Sequence, residues 1–333
     1  MPYPIILILA LLLPLQAQAT TLKIATLAPD GTSWMKAMRA GAKEIEERSS
    51  GRVKLRFYPG GVMGNDKSVL RKIRVGQLHG GALTGGGLVS IFPDSQVYSL
   101  PFMFHSLQEA DYVRKAVDPL LYAGLEQAGF ISFGISEGGF AYLMSNQPLS
   151  RVEELRQQKV WSPEGDEVGR IAFEALGVSP IPLPLPDVLT GLQTGLINTV
   201  ATSPVGAIAL QWHTRVKYLT DIPLLYLYGT LVIQKRAFNR LSPEDQAIVR
   251  SAMEKAFQQV NEQSRKDNEG AMEALKSQGI QFIHPSPDDL TQWRALIHKT
   301  VNQMAEQGVY SPQMLETVRR HLGEYRGQNQ VGE

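Results

Sequence analysis

Three stretches of this 333-residue chain carry residue types that could do chemistry. Gly134-Ile135-Ser136-Glu137-Gly138 matches G-x-S-x-G, in which a strained strand-to-helix turn presents a nucleophilic serine. Phe130 to Ile135 reads as the strand this needs, but Gly139 to Met144 alternates like more strand and has no helix start. A serine esterase acting through Ser136, with Asp221 and His284 in the right chain order, is therefore the alternative from the enzyme class. Gly80 to Gly87 (GGALTGGG) is glycine-rich, but lacks the lysine of a phosphate loop and the spacing of a dinucleotide turn. It reads as a strand and a loop where backbone passes close to a ligand or to other protein. The six histidines, at 79, 105, 213, 284, 298 and 321, show no metal spacing. Paired carboxylates such as Glu153-Glu154 read as a helix surface. No catalytic residue, metal or cofactor is expected from these patterns.

The elements that must position any site begin after residue 19. Ile5 to Leu13 is an apolar run followed by Ala17-Gln18-Ala19, the pattern of a secretory signal cleaved after Ala19. The run is too short for a membrane span of about 20 residues. Cysteine is absent, which excludes disulfides, thiolate ligands and a lipidated cysteine and suits a periplasmic protein held by core burial. With 33 Lys+Arg against 32 Asp+Glu, the charge pattern gives no footprint for nucleic acid.

Leu22 to Leu27 alternates as a strand, and Asp30-Gly31-Thr32-Ser33 supplies turn and cap chemistry for a helix to about Arg48. Val53 to Tyr58 is a second strand, Asp66 to Val75 a short helix and Gly81-Ala82-Leu83 a third strand. This alternation implies a parallel α/β sheet. It recurs from Lys159: strand, helix from Glu167 to Leu176, extended Pro180 to Pro186, helix to Thr194, and strand from Thr199 to Thr202. A helix capped by Ser242 with Pro243 at its first position runs without a firm stop to Gly279. At 1.5 Å per residue, roughly 35 residues reach about 50 Å, more than one lobe. Ile280 to Ile283 returns to strand, and the tail from Asp288 to Tyr325 is helical.

Over its mature length the chain resembles the DctP family, the extracytoplasmic solute-binding subunits of tripartite ATP-independent periplasmic (TRAP) transporters. The segments that carry the likeness are IATLAPDGTSW (24–34), Arg52 to Asp66, LPFMF (100–104), Gly177 to Pro186, LQTG (192–195) and LSPEDQ (241–246), in the family's order. The resemblance implies a two-lobed α/β periplasmic binding protein, type II-like, with parallel or mixed sheets, crossing hinge strands and a long helix spanning both lobes. A monomer is expected that closes on a small molecule, passes it to membrane permease subunits, and neither catalyses a reaction nor inserts into the membrane. The expected division is a signal peptide over 1–19, lobe I over 20–140 plus 226–265, lobe II over 141–225 plus 266–326, and a disordered tail over 327–333.

The departures from the family pattern bear on the cargo. Where the family carries a carboxylate-binding arginine in K-I/L-R-V-P, this chain has Lys159-Val160-Trp161-Ser162-Pro163. An arginine fork holds a carboxylate by two parallel charged hydrogen bonds; Trp161 cannot. Gly138-Gly139-Phe140 is followed by Ala141 where a second arginine often stands, and Ala201 and Thr202 replace a carboxylate and an amide. Leu185 and Thr84 fall at other pocket positions, while Leu27, Asp66, Glu137 and Phe140 complete the expected lining. A neutral, apolar or cationic cargo is expected, a cation being met by the Trp161 ring and by Glu137. A non-transporting interaction protein on the same fold is the remaining alternative.

Overall fold

The computed structural model describes residues 19–330. All but the last residue of the expected signal peptide lies outside that range. Among the described residues nine strands follow in chain order: β1 (Thr20–Thr26), β2 (Val53–Tyr58), β3 (Gly80–Thr84), β4 (Phe130–Ser145), β5 (Trp161–Pro163), β6 (Ile181–Leu183), β7 (Thr199–Thr202), β8 (Tyr218–Gln234) and β9 (Gln281–Ile283). The main sheet has the order β2-β1-β3-β8-β4-β7, with β9 added along β8, while β5 and β6 pair separately. Strands β1, β2 and β3 are parallel, as their intervening helices require. Strand β8 runs antiparallel to both β3 and β4, so the sheet is mixed.

Strands β4 and β8, of 16 and 17 residues, are long enough to serve both lobes. Their pairing carries three register shifts, two of them flanking Gly139 to Ala141. Such irregularities bend and twist a ladder locally, and here they fall where the strands pass between lobes.

The helix Ser33–Arg48 begins where Thr32 accepts a hydrogen bond from the Met35 N–H. It buries Met35, Met38, Gly41 and Ile45, one stripe at helical spacing. Each buried Met or Ile contributes roughly 1.5–3 kcal/mol relative to exposure. Gly41 lets the long helix approach, since a Cβ there would lie 3.3 Å from that of Ala256.

The long helix, Pro243–Ser277, has 35 residues and starts at the Ser242 cap. Ile248 to Val260 pack into the lobe I core with Leu22, Ile24 and Phe238. Leu275 and Met272 pack into a lobe II core built around Trp161, Trp212 and Val200. One continuous helix therefore braces both lobes. A third, larger core lies on the other side of the sheet and joins lobe I side chains such as Leu70 and Tyr98 to lobe II side chains such as Phe173 and Trp293.

The final helix, Pro312–Gln330, takes in residues 327–330, which were expected to belong to a disordered tail. Val318 and Leu322 are buried in the large core, and Arg326 pairs with Glu109 at 2.8 Å, which docks the helix up to residue 326. Residues 331–333 lie outside the described range.

Candidate functional site

The segments that follow β1, β2 and β3 approach those that follow β5 and β6 at a few contacts between the lobes. The Gly60-Gly61 turn is tied to the end of β1 by N–H bonds to the carbonyls of Ala28 (2.9 Å) and Thr26 (3.0 Å). A Cβ on Gly61 would fall 3.1 Å from Pro186 Cγ of lobe II and 3.4 Å from Leu27 Cδ2 of lobe I. Leu27 and Leu185, both half-buried, thus flank a point where the lobes touch. A second bridge is polar: Asn65 Nδ2 donates to Glu164 Oε2 at 2.6 Å.

Asp66 lies just inside that bridge, at the start of the helix Asp66–Arg74 that Asn65 caps. Its Oδ2 accepts from the Thr84 N–H (3.2 Å) and hydroxyl (2.7 Å). Thr84 Oγ1 in turn accepts from the Gly87 N–H and caps the short turn Gly85–Leu88. Gly87 must be glycine here, because a Cβ would lie 2.2 Å from Asp66 Oδ2. The other oxygen, Oδ1, is buried with no hydrogen-bond partner among the described residues. Burial pushes this carboxyl up to about 6, the two Thr84 hydrogen bonds pulling only partly back.

Asp166 faces the same turn from lobe II. Its Cβ is 4.0 Å from where a Gly86 Cβ would be. Oδ1 caps the helix Glu167–Ala175 by accepting from the Gly169 N–H at 3.0 Å. Burial raises this carboxyl too, the Gly169 bond lowers it in part, and Glu167 adds repulsion. Among the described residues, neither carboxylate has an ion-pair partner.

Trp161 opens β5 and is 4% exposed. Its Nε1–H donates to the Leu183 carbonyl at 3.0 Å, and its ring meets Trp212 edge-on, centroids 5.1 Å apart. Both contacts hold it in the lobe II core, so no charged group stands at this position. Phe140 packs edge-on against Tyr226 at 5.9 Å, and Ala141 beside it is fully buried. Thr202 ends β7 opposite Tyr142 and is buried, its hydroxyl against Gly206.

Glu137 departs from expectation. Its side chain is 1% exposed and paired with Arg265 of the long helix. Arg265 donates to Oε1 at 3.0 Å and to Oε2 at 2.8 Å, and Tyr226 donates its hydroxyl to Oε2 at 3.0 Å. Arg265 also reaches Asp111. A carboxylate so fully engaged is a structural anchor of the hinge and cannot serve as the counter-ion of a bound cation.

Ser136 forms no nucleophile elbow. It lies in the middle of β4 and donates its hydroxyl to the Gly229 carbonyl at 3.1 Å. Asp221 and His284 do pair, at 3.2 Å. However, Asp221 lies eight residues along β8 from Gly229, roughly 26 Å at about 3.3 Å per residue.

Asp166, Glu164 and Asn65 were not among the residues that sequence reasoning placed at the cleft. Asp166 before Glu167-Val168 is legible as a helix cap, and Asn65 as another, but their approach across the lobes is not. Ser95 and Gln96 were missed as well. Ser95 Oγ and both amide atoms of Gln96 are buried without partners among the described residues.

Two lobes joined by crossing strands and braced by one helix are an architecture suited to a solute-binding protein. Residues 24–307 match the family described as DctP, bacterial extracellular solute-binding protein, family 7, and the chain belongs to it. It is 22% identical to the C4-dicarboxylate-binding periplasmic protein DctP of Rhodobacter capsulatus, over 90% of each chain. A TRAP periplasmic solute-binding protein from Ochrobactrum anthropi superposes with TM-score 0.80 at 25% identity, covering 95% of this chain and 99% of that one. The sugar acid binding protein of Advenella mimigardefordensis, in complex with galactonate, gives TM-score 0.86 at 20% identity, covering 92% and 99%.

Proposed function

We propose that this protein is a periplasmic receptor that captures a small molecule between its lobes and delivers it to TRAP membrane permease subunits. The cargo is not a simple organic acid but a neutral, apolar or cationic molecule. Family membership supports the receptor role. The cargo class rests on Trp161, which the resemblance sets at the place of the family's carboxylate-binding arginine; its N–H is committed to Leu183 and its ring lies in the core. A free carboxylate entering there would lose hydration worth several kcal/mol without a guanidinium to replace it.

Nearby groups push the same way. Asp66 and Asp166 flank the turn with no ion-pair partner among the described residues, and a bound anion would add to that negative charge. Leu27, Leu185, Ala141 and Thr202 contribute no charge.

Native mass spectrometry of protein extracted from its own periplasm, sprayed gently and then denatured, tests this. A bound non-acidic small molecule is expected. A co-purifying carboxylic acid without a basic nitrogen would overturn the cargo class, though not the receptor role.

A further inference from the structure

We propose that the cargo carries a protonated nitrogen that docks on Asp66, attached to a largely apolar body; this rests on the receptor reading above and narrows it. Four side-chain atoms are buried without a hydrogen-bond partner among the described residues: Asp66 Oδ1, Ser95 Oγ, and Gln96 Nε2 and Oε1. Folded proteins leave few such groups, so their placement carries information. All four belong to segments packed on one feature, the turn Gly85–Leu88. Asp66 lies against Gly87. Ser95 and Gln96 belong to the 3-10 segment Pro93–Ser99 packed on the turn, where the Ser95 carbonyl accepts from Tyr228, whose ring covers Gly85.

Asp66 is the charged member of the set. Its Oδ2 is satisfied by Thr84, which leaves Oδ1 as an acceptor in want of a donor. No lysine or arginine pairs with Asp66, Asp166 or Glu164 among the described residues. Asp166 adds a second unneutralised carboxylate from the opposite lobe, across Gly86. A hydroxyl would satisfy Oδ1 but leave both charges uncompensated. A protonated amine or guanidine supplies the donor and the charge together, and charge-assisted bonds of this kind are roughly twice as strong as neutral ones. Glu137 takes no part, being spent on Arg265.

The test uses the full mature chain, stripped of cargo by unfolding and refolding. Thermal shift and calorimetry would be run with primary amines and guanidines of four to ten carbons, and with alcohols and carboxylates on the same skeletons. At least one amine or guanidine is expected to bind, its affinity falling at least 30-fold in Asp66→Asn. In the native sequence the same affinity should fall as pH is lowered from 7.5 to 5, a readout that needs no variant. Binding by alcohols alone would overturn the proposal and leave a non-acidic receptor standing. Binding by the carboxylates would overturn both. Amine binding indifferent to Asp66→Asn and to pH, or no amine or guanidine binding at all, would also overturn it.

Discussion

Arg265 reaches from the long bracing helix to Glu137 on the crossing strand β4, holding both carboxylate oxygens at 3.0 and 2.8 Å. The pair ties the helix that spans both lobes to the strand on which the lobes hinge. Its partner Tyr226 lies on the other crossing strand, where the hydroxyl of Tyr226 also accepts from Arg114 at 3.1 Å. Helix and both hinge strands are thus joined by one hydrogen-bonded charge network.

Removing Arg265 leaves Glu137 buried and unpaired. Breaking a buried pair from one side costs about 3–5 kcal/mol; because Arg265 is 35% exposed, water can enter in its place and the loss should be smaller. Arg265→Met is expected to destabilise by about 2–3 kcal/mol in urea unfolding, and Arg265→Met with Glu137→Gln to recover most of it. A single-variant loss below about 0.5 kcal/mol, the ordinary range for a surface substitution, would contradict the anchoring role.

Asp66 predicts a pH dependence with a definite sign. Its folded pKa, about 6, lies above the ordinary value of 3.8, so ionisation opposes folding. The stability contribution is full below about pH 3.8 and is lost as pH rises through about 6. Cargo-free protein should therefore gain stability as pH falls from 7 toward 5. Asp66→Asn should flatten that slope and raise stability at pH 7 by about 1–2 kcal/mol. Chemical unfolding at a series of pH values reads both, and a slope unchanged by the variant would contradict the assignment.

The role given to Trp161 is structural as well as chemical. Trp161→Ala removes a buried ring from the Trp212 contact and a hydrogen bond to Leu183. A loss of about 3–5 kcal/mol is expected, the range for truncating a buried aromatic. A near-neutral effect in denaturant titration would mean the indole is not part of the lobe II core.

The Asn65–Glu164 contact is a latch on the closed form. Glu164→Ala removes it without touching the helix cap that Asn65 provides to the Ser68 N–H. An exposed charge-assisted bond is worth about 1 kcal/mol, so the closed-to-open ratio should fall about fivefold. Energy transfer between dyes on the two lobes would report this, and an unchanged distance distribution would remove the latch from the account.

Much of the fold was legible because its signals are local. Thr32, Asn65 and Ser242 announce their helices by caps, and the long helix was readable from the lack of any stop before Gly279. The mixed sheet was less so, since nothing nearby in sequence says that β8 enters beside β3. At the site, Asp66 was expected from the resemblance, while its unsatisfied oxygen was not legible. Glu137 was misread for a plain physical reason: its counter-ion stands 128 residues later, and no periodicity or spacing connects them. The core contacts of Trp161 were not legible either, because its acceptor, Leu183, and its ring partner, Trp212, are also remote in sequence.

The central claim is that this cleft has lost the family's means of holding an acid. Isothermal titration of refolded, cargo-free protein with succinate, galactonate and galacturonate tests it most directly. The account predicts no saturable binding of any of them up to millimolar concentration. A dissociation constant in the micromolar range or tighter, a gap of at least about 4 kcal/mol from that prediction, would contradict it.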